Sequence, residues 1–99
     1  MSQRLHLLKE ALDEIDEASR WYANRSEWAR ASFLSEIDHS LDVILEAPHR
    51  WPADFDESRR YVCSTFPYAI FYLFEEEVVT VVAVAHSSRR PGYWRKRLQ

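Results

Sequence analysis

The chain has 99 residues, of which 46% are hydrophobic and 14% aromatic, so we expect one domain over residues 1–99 with a single core. The formal net charge is −3, but the charges are unevenly distributed along the chain. Residues 1–58 carry six basic and thirteen acidic side chains, whereas residues 78–99 carry five basic and no acidic ones. Cys63 is the only cysteine, and no apolar run is long enough for a signal peptide or a membrane span. These features exclude an internal disulfide, disfavour secretion and membrane insertion, and predict a cytoplasmic protein.

The first half of the chain predicts a short strand followed by two helices. Three leucines within residues 5–8 are typical of a brief edge strand. An apolar stripe at three- and four-residue spacing then predicts an amphipathic helix from near Lys9 to near Asn24. A second stripe predicts a helix with Ser26 as its N-cap and Pro48 as its stop. Because the link between the helices is short, they should form an antiparallel hairpin.

The second half changes to a strand pattern. Residues 59–64, 68–74 and 78–85 are rich in Val, Ile, Tyr and Phe, which predicts three strands. Short connections at residues 66–67 and 75–77 imply antiparallel pairing. The last strand is apolar at nearly every position, so it should be central and covered on both faces. The predicted fold class is α+β, with a short N-terminal strand and an antiparallel helical hairpin packed on a small antiparallel sheet, in the order β-α-α-β-β-β.

The basic segment after the last predicted strand holds most of the residues that could take part in catalysis or binding. His86 is either a general base or polar contact, or a ring that closes the sheet end by hydrogen bonding. Arg89 and Arg90 either bind phosphate or carboxylate, or form a solvated turn. Tyr93 and Trp94 either contact a base or a protein partner, or pin the tail onto the core.

Two further arginines open the first strand of the predicted three-strand meander. Since the first and third strands of a meander run parallel, Arg59 and His86 should lie at opposite ends unless the polar loop or the tail folds across. We therefore do not predict one continuous basic site. The candidate target-binding residues are Arg59, Arg60, His86, Arg89, Arg90, Tyr93 and Trp94.

The remaining polar residues predict no further site. The acidic residues on the helices are expected to form a solvated face rather than paired catalytic carboxylates. This face comprises Asp13, Glu14, Glu17, Glu36, Asp38 and Asp42. The histidines and Cys63 lack the spacing of metal ligands, so we predict no metal and no cofactor.

Several segments, in their order and spacing, resemble the RelE/ParE superfamily, the toxin halves of bacterial type II toxin-antitoxin modules. The resemblance covers nearly the whole chain, and the family's fold agrees with the β-α-α-β-β-β order. Its marks are Ala-Ser-Arg-Trp-Tyr at 18–22, Ala-Pro at 47–48, Arg-Arg at 59–60, Phe-Pro-Tyr-Ala-Ile-Phe-Tyr at 66–72, Val-Ala-Val-Ala-His at 82–86 and Ser-Arg-Arg-Pro-Gly-Tyr-Trp at 88–94.

The superfamily divides by target. RelE-like members cleave messenger RNA on the ribosome, whereas ParE-like members inhibit DNA gyrase by binding it. Arg60 and Tyr93 fall where RelE-like members have functional residues, but Val62 and Ala69 replace basic ones. The resemblance therefore implies a ParE-like toxin of the plasmid-stabilisation type that inhibits growth through gyrase.

Two alternatives remain open. One is a RelE-like endoribonuclease that acts on messenger RNA bound to the ribosome. Its catalytic residues would be Arg60, His86, Arg89 and Tyr93. The other is an inactive member that acts only as a binding module.

Either toxin interpretation implies a cognate antitoxin encoded beside the toxin and a hetero-oligomer of the two. We expect an extended or helical antitoxin segment to lie on apolar grooves of the hairpin and sheet. Tryptophan and tyrosine dominate interface energetics, although core packing is an equal alternative for each. The candidate antitoxin contacts are Trp21, Tyr22, Trp28 and Trp51.

Overall fold

The computed structural model describes residues 4–54 and 56–99; residues 1–3 and 55 of the predicted domain lie outside the described residues. The elements are strand β1 (Arg4–Leu7), helices α1 (Lys9–Ala23) and α2 (Glu27–Glu46), strands β2 (Arg59–Val62), β3 (Tyr68–Glu75) and β4 (Val78–His86), and a 3-10 turn (Arg95–Leu98). The predicted fold class and element order are confirmed.

Local signals determine the two helices. Ser26 Oγ accepts a hydrogen bond from the N–H of Ala29 at 3.0 Å, so it caps α2 as the sequence predicts. α2 ends at Glu46, two residues before Pro48. Residues 24–26 form the short connection, and α1 packs along α2 as a hairpin. Neither helix in the described ranges is long and apolar enough to cross a membrane.

The sheet has the strand order β1-β4-β3-β2. The β2–β3–β4 meander is antiparallel, and β4 is central, as predicted. β1 departs from the predicted antiparallel sheet, because it pairs in parallel with β4, from Arg4 beside Val78 to Leu7 beside Val81. The sheet is therefore mixed rather than purely antiparallel. No tight turn links these two strands, so the connection does not force an antiparallel direction.

The helices bury one face of the sheet. Phe33, Ile37 and Ile44 of α2 pack with Ile70 and Tyr72 of β3 in the main core. Burial of these apolar side chains is the dominant favourable contribution to folding. The helical hairpin is thereby fixed on one side of the sheet.

The C-terminal tail covers the opposite face of the sheet. Trp94 is 2% exposed and forms a second cluster with Val82 and Ala83. Its ring lies 4.7 Å from the ring of Phe71, centroid to centroid. Together with the helices, this tail explains why β4 is apolar at nearly every position.

A register shift in β4 shapes its outer edge. Phe71 lies opposite Ala83 and Tyr72 lies opposite Val81, so Val82 is an extra residue in β4. The pairing of β1 with β4 also ends at Val81. From Val82 onwards β4 therefore has an outer edge that β1 does not cover.

Candidate functional site

Side chains complete the outer edge of β4 where β1 ends. Glu14 of α1 accepts a hydrogen bond from the N–H of Val84 at 3.0 Å through Oε1. Arg97 donates from Nη1 to the carbonyl of Val82 at 3.0 Å. The two side chains also form a two-pronged ion pair, with Arg97 Nη1 and Nη2 each 3.0 Å from a Glu14 oxygen.

This arrangement corrects the prediction that Glu14 belongs to a solvated acidic face. The Glu14 and Arg97 side chains are each only 15% exposed. The ion pair raises the pKa of Arg97, mainly through its hydrogen bond to Glu14. The sequence could not indicate the pair, because its members are 83 residues apart.

A second member of the predicted acidic face is also engaged. Glu36 Oε2 accepts hydrogen bonds from the N–H groups of Thr65 at 2.7 Å and Phe66 at 3.1 Å. Burial opposes the charged carboxylate, but these backbone bonds outweigh it and lower its pKa. Glu36 thus fixes the connection between β2 and β3 to α2.

Tyr93, a candidate target-binding and catalytic residue, is engaged within the chain. Its hydroxyl donates a hydrogen bond to Glu14 Oε2. Burial, assisted by this bond, raises its pKa to about 12. The guanidinium carbons of Arg89 and Arg97 lie 3.8 and 5.1 Å from the centre of its ring. The hydroxyl and the ring are therefore both engaged within the chain.

Trp94 anchors the tail, because its ring is buried on Phe71. The turn before it depends on Gly92, which has a φ of +77°. A Cβ at this position would lie 3.0 Å from Arg95 Nη1. Glycine therefore permits the turn that returns the tail to the sheet.

His86 closes the end of the sheet by hydrogen bonding. Its Nδ1 accepts from the N–H of Ser88 at 3.0 Å and lies 2.8 Å from Ser88 Oγ. Since a backbone N–H can only donate, Nδ1 is an acceptor and the ring proton is on Nε2. The ring also meets that of Tyr68 edge-on at 5.2 Å. In this arrangement the nitrogen that would act as a base is already occupied.

The two arginines of β2 have different environments. Arg59 donates to the carbonyls of Trp51 and His49, so it holds the loop that precedes β2. It pairs with Tyr72 midway along β3, whereas His86 pairs with Tyr68 at the start of β3, so the meander keeps the two residues apart, although not at opposite ends of the sheet. Arg60 is exposed and lies beside Phe71 on the face that carries the tail.

A groove on this face, the sheet groove, brings Arg60 together with the tail arginines. It has a volume of ≈ 510 Å³ and is also lined by Arg89 and Arg90. Its apolar floor is a row of three residues from neighbouring strands, Val62, Ala69 and Ala85. The sequence alone does not predict a continuous basic site, because such a site requires the tail to fold back towards Arg60, as it does here.

A second groove, the helix groove, lies between α1 and the ends of β3 and β4. It has a volume of ≈ 730 Å³, and its lining includes Trp21, Tyr22 and Val84. Trp21 is 52% exposed, with the guanidinium carbon of Arg25 4.3 Å from its ring centre. Two candidate antitoxin contacts therefore meet in one groove.

The other two antitoxin candidates lie elsewhere. Trp28 is 79% exposed on α2 and belongs to neither groove. Trp51 is half-buried and packs edge-on against Tyr61 at 5.1 Å. Of the four aromatic candidates, Trp21 and Tyr22 therefore line one groove together, whereas Trp28 and Trp51 lie outside both grooves.

The two grooves share one wall, which we call the ridge. Four residues line both grooves, namely Pro67, Tyr68, His86 and Arg89. A ligand in either groove would contact the ridge. Among residues 4–54 and 56–99, no group of three or more His, Cys, Asp or Glu side chains is arranged to hold a metal ion.

The chain is similar in sequence to a protein family and in fold to solved structures. Residues 5–91 match the family described as ParE toxin of type II toxin-antitoxin system, parDE. Ten chains of solved structures match this fold. One, described as the chromosomal ParDE TA system from P. aeruginosa, has 11% sequence identity and a TM-score of 0.73, and the match covers 85% of this chain and 95% of that one. At this identity the likeness shows the fold. No curated protein matches the sequence.

Proposed function

Since the chain belongs to the ParE toxin family of type II toxin-antitoxin systems, we propose that it acts in the cytoplasm and inhibits growth by binding DNA gyrase. We propose further that a cognate antitoxin neutralises it. The observation that carries this proposal is the internal engagement of the groups that cleavage would need. The Tyr93 hydroxyl donates a hydrogen bond to Glu14, and His86 Nδ1 accepts one from the N–H of Ser88. The sheet groove thus offers arginines for binding without a free proton-transfer pair.

The chemistry of RNA cleavage explains why the internal engagement of Tyr93 and His86 argues against a nuclease. Breaking a phosphodiester needs a positioned acid or base as well as charge stabilisation. Where RelE-like members have cations, this chain has Val62 and Ala69, and they form the apolar floor of the sheet groove. An apolar floor beneath exposed arginines favours docking of a partner over stabilisation of a departing phosphate.

We propose that the helix groove takes the antitoxin. Its Trp21 and Tyr22 offer large rings beside the small side chain of Ala18, which suits an extended or helical apolar segment. Exposed tryptophan and tyrosine are the residue types that most often dominate binding energy. The sheet groove is then left for the target.

A paired assay on the purified protein tests the target. We expect the protein to inhibit gyrase supercoiling and to leave ribosome-bound messenger RNA uncut. Cleavage of that RNA with supercoiling unaffected would overturn the proposal in favour of the endoribonuclease. In that case His86→Ala or Arg89→Ala should abolish cleavage while the circular dichroism spectrum stays native.

Expression in cells tests for an inactive binding module. We expect induction of the chain alone to slow growth, and co-expression of the product of an adjacent short reading frame to restore it. Normal growth in both conditions would show that this chain has lost its toxicity.

A further inference from the structure

The rim of the sheet groove carries uncompensated positive charge. Arg60, Arg89 and Arg90 are all exposed. Within residues 4–54 and 56–99, none of the three forms an ion pair. No Asp or Glu is among the residues that line the groove. The rim is therefore complementary to an anionic ligand.

The floor of the same groove is suited to an apolar group. Val62 is 60% exposed, although it is flanked on the next strand by Ala69. Ala85 completes the row on β4. These short side chains leave a trough between the rim arginines, so a ligand with both carboxylates and an apolar side chain would satisfy both parts.

The rings around the groove argue against single-stranded nucleic acid. Binding of such strands relies on aromatic faces that stack on bases. Trp94 and Phe71 pack on each other, and Tyr93 lies against two guanidinium groups. The ring of Tyr68 packs against His86 and Phe33. The groove therefore offers cations without a stacking platform.

We propose that the sheet groove docks an extended acidic segment of the target protein, with an apolar side chain on the floor and carboxylates on the rim arginines. Guanidinium groups bind carboxylates through two parallel hydrogen bonds, which fixes such a segment in orientation. This inference rests on the proposed function only in taking the target to be a protein. It adds the chemistry of the recognised segment and the residues that read it.

Fluorescence anisotropy with synthetic probes tests this proposal. The probe is a short labelled peptide with a central leucine flanked by glutamates, compared with its glutamine counterpart and with an oligothymidylate of equal charge. Arg90→Glu should weaken binding of the acidic peptide by about tenfold or more. Arg4→Glu makes the same charge change on the exposed edge strand β1, and we expect less than about a twofold change there.

The Val62→Lys variant distinguishes the contribution of the apolar floor to binding from the contribution of positive charge. It adds a cation but removes the apolar floor, so we expect weaker binding of the leucine-containing peptide. Tighter binding by this variant, or a preference for the oligothymidylate over the acidic peptide, would overturn the proposal. Because Val62 is largely exposed, the variant should keep a native circular dichroism spectrum.

The supercoiling assay distinguishes failure of this inference from failure of the proposed function. If the natural chain inhibits gyrase and Val62→Lys and Arg90→Glu inhibit it equally well, the docking site is wrong and the function stands. If the natural chain does not inhibit gyrase but still binds the acidic peptide through these residues, the target is wrong and the groove chemistry stands.

Discussion

Glu14 is the residue at which α1, β4 and the C-terminal tail meet. Its carboxylate accepts from Val84, Tyr93 and Arg97, and it is mostly buried. We expect Glu14→Ala to lower the free energy of unfolding by about 2–3 kcal/mol, because it leaves a backbone N–H and a guanidinium without their partner. Urea denaturation measures this change.

A double-mutant cycle shows whether the Glu14–Arg97 pair itself carries this energy. We expect a coupling energy of about 1 kcal/mol or more between Glu14→Ala and Arg97→Ala. Lys9→Ala is the matched control, because it removes an ion pair with Asp13 that is exposed on both sides. It should leave the unfolding midpoint unchanged, and additive effects at Glu14 and Arg97 would contradict the expected coupling.

Glu36 makes stability depend on acid pH. Its folded-state pKa is below 4.5, because the backbone bonds from Thr65 and Phe66 outweigh the effect of burial. The unfolded chain therefore binds the proton more readily, and stability is lost as pH falls below about 4.5 through the folded-state pKa. We expect Glu36→Gln to be less stable near pH 7 and to lose less stability on acidification. Unfolding curves recorded from pH 7 to pH 3 compare the two slopes, and equal slopes would contradict this assignment.

The hairpin between β3 and β4 uses an unfavourable turn sequence. Glu76 and Glu77 both have positive φ values, 51° and 65°, where glycine or asparagine is usual. We expect Glu77→Gly to raise the free energy of unfolding by about 0.5–1 kcal/mol, because it relieves the steric cost at the Cβ. Glu75→Gly, within β3, should instead lower it. Thermal and urea unfolding check both signs, and destabilisation by Glu77→Gly would show that the turn is held by other contacts.

Helices and strands that are determined by residues close to one another in the sequence are predictable for this chain. Ser26 and Pro48 bound α2, and the apolar run after Val78 indicates a central strand. The parallel pairing of β1 is not predictable, because its register with β4 depends on residues more than 70 positions apart. Local patterns state which segments are strands, but they do not state which strands meet.

The candidate site follows the same division. The arginines of the tail and of β2 are visible in the sequence as charge clusters, but their convergence is not. It requires the turn at Gly92 and the burial of Trp94, which return the tail to the face that carries Arg60. The hydrogen bonds to Glu14 that hold this arrangement are missed because a helix carboxylate is ordinarily solvated.

At the scale of the whole molecule, most of the acidic side chains and the basic tail lie on opposite faces of the sheet. The helical hairpin, which carries most of the acidic residues, covers one face, and the basic tail covers the other. A partner with an acidic segment would thus be attracted to the tail face and repelled from the helices. The ridge is the only wall shared by the sheet groove and the helix groove among the described residues.

The shared ridge predicts that antitoxin and target binding are separable but coupled. Trp21 lines only the helix groove, Val62 lines only the sheet groove, and Arg89 lines both. We expect Trp21→Ala to weaken antitoxin binding by about tenfold or more while gyrase inhibition is retained, because a tryptophan contact is typically worth about 2 kcal/mol or more. Val62→Lys should instead weaken gyrase inhibition while antitoxin binding is retained. Arg89→Ala should weaken both activities. Titration calorimetry with the antitoxin and supercoiling assays measure the two activities in parallel. If Val62→Lys weakened antitoxin binding as much as Trp21→Ala, the two partners would share one groove, and neutralisation would be direct occupation of the target site rather than competition across the ridge.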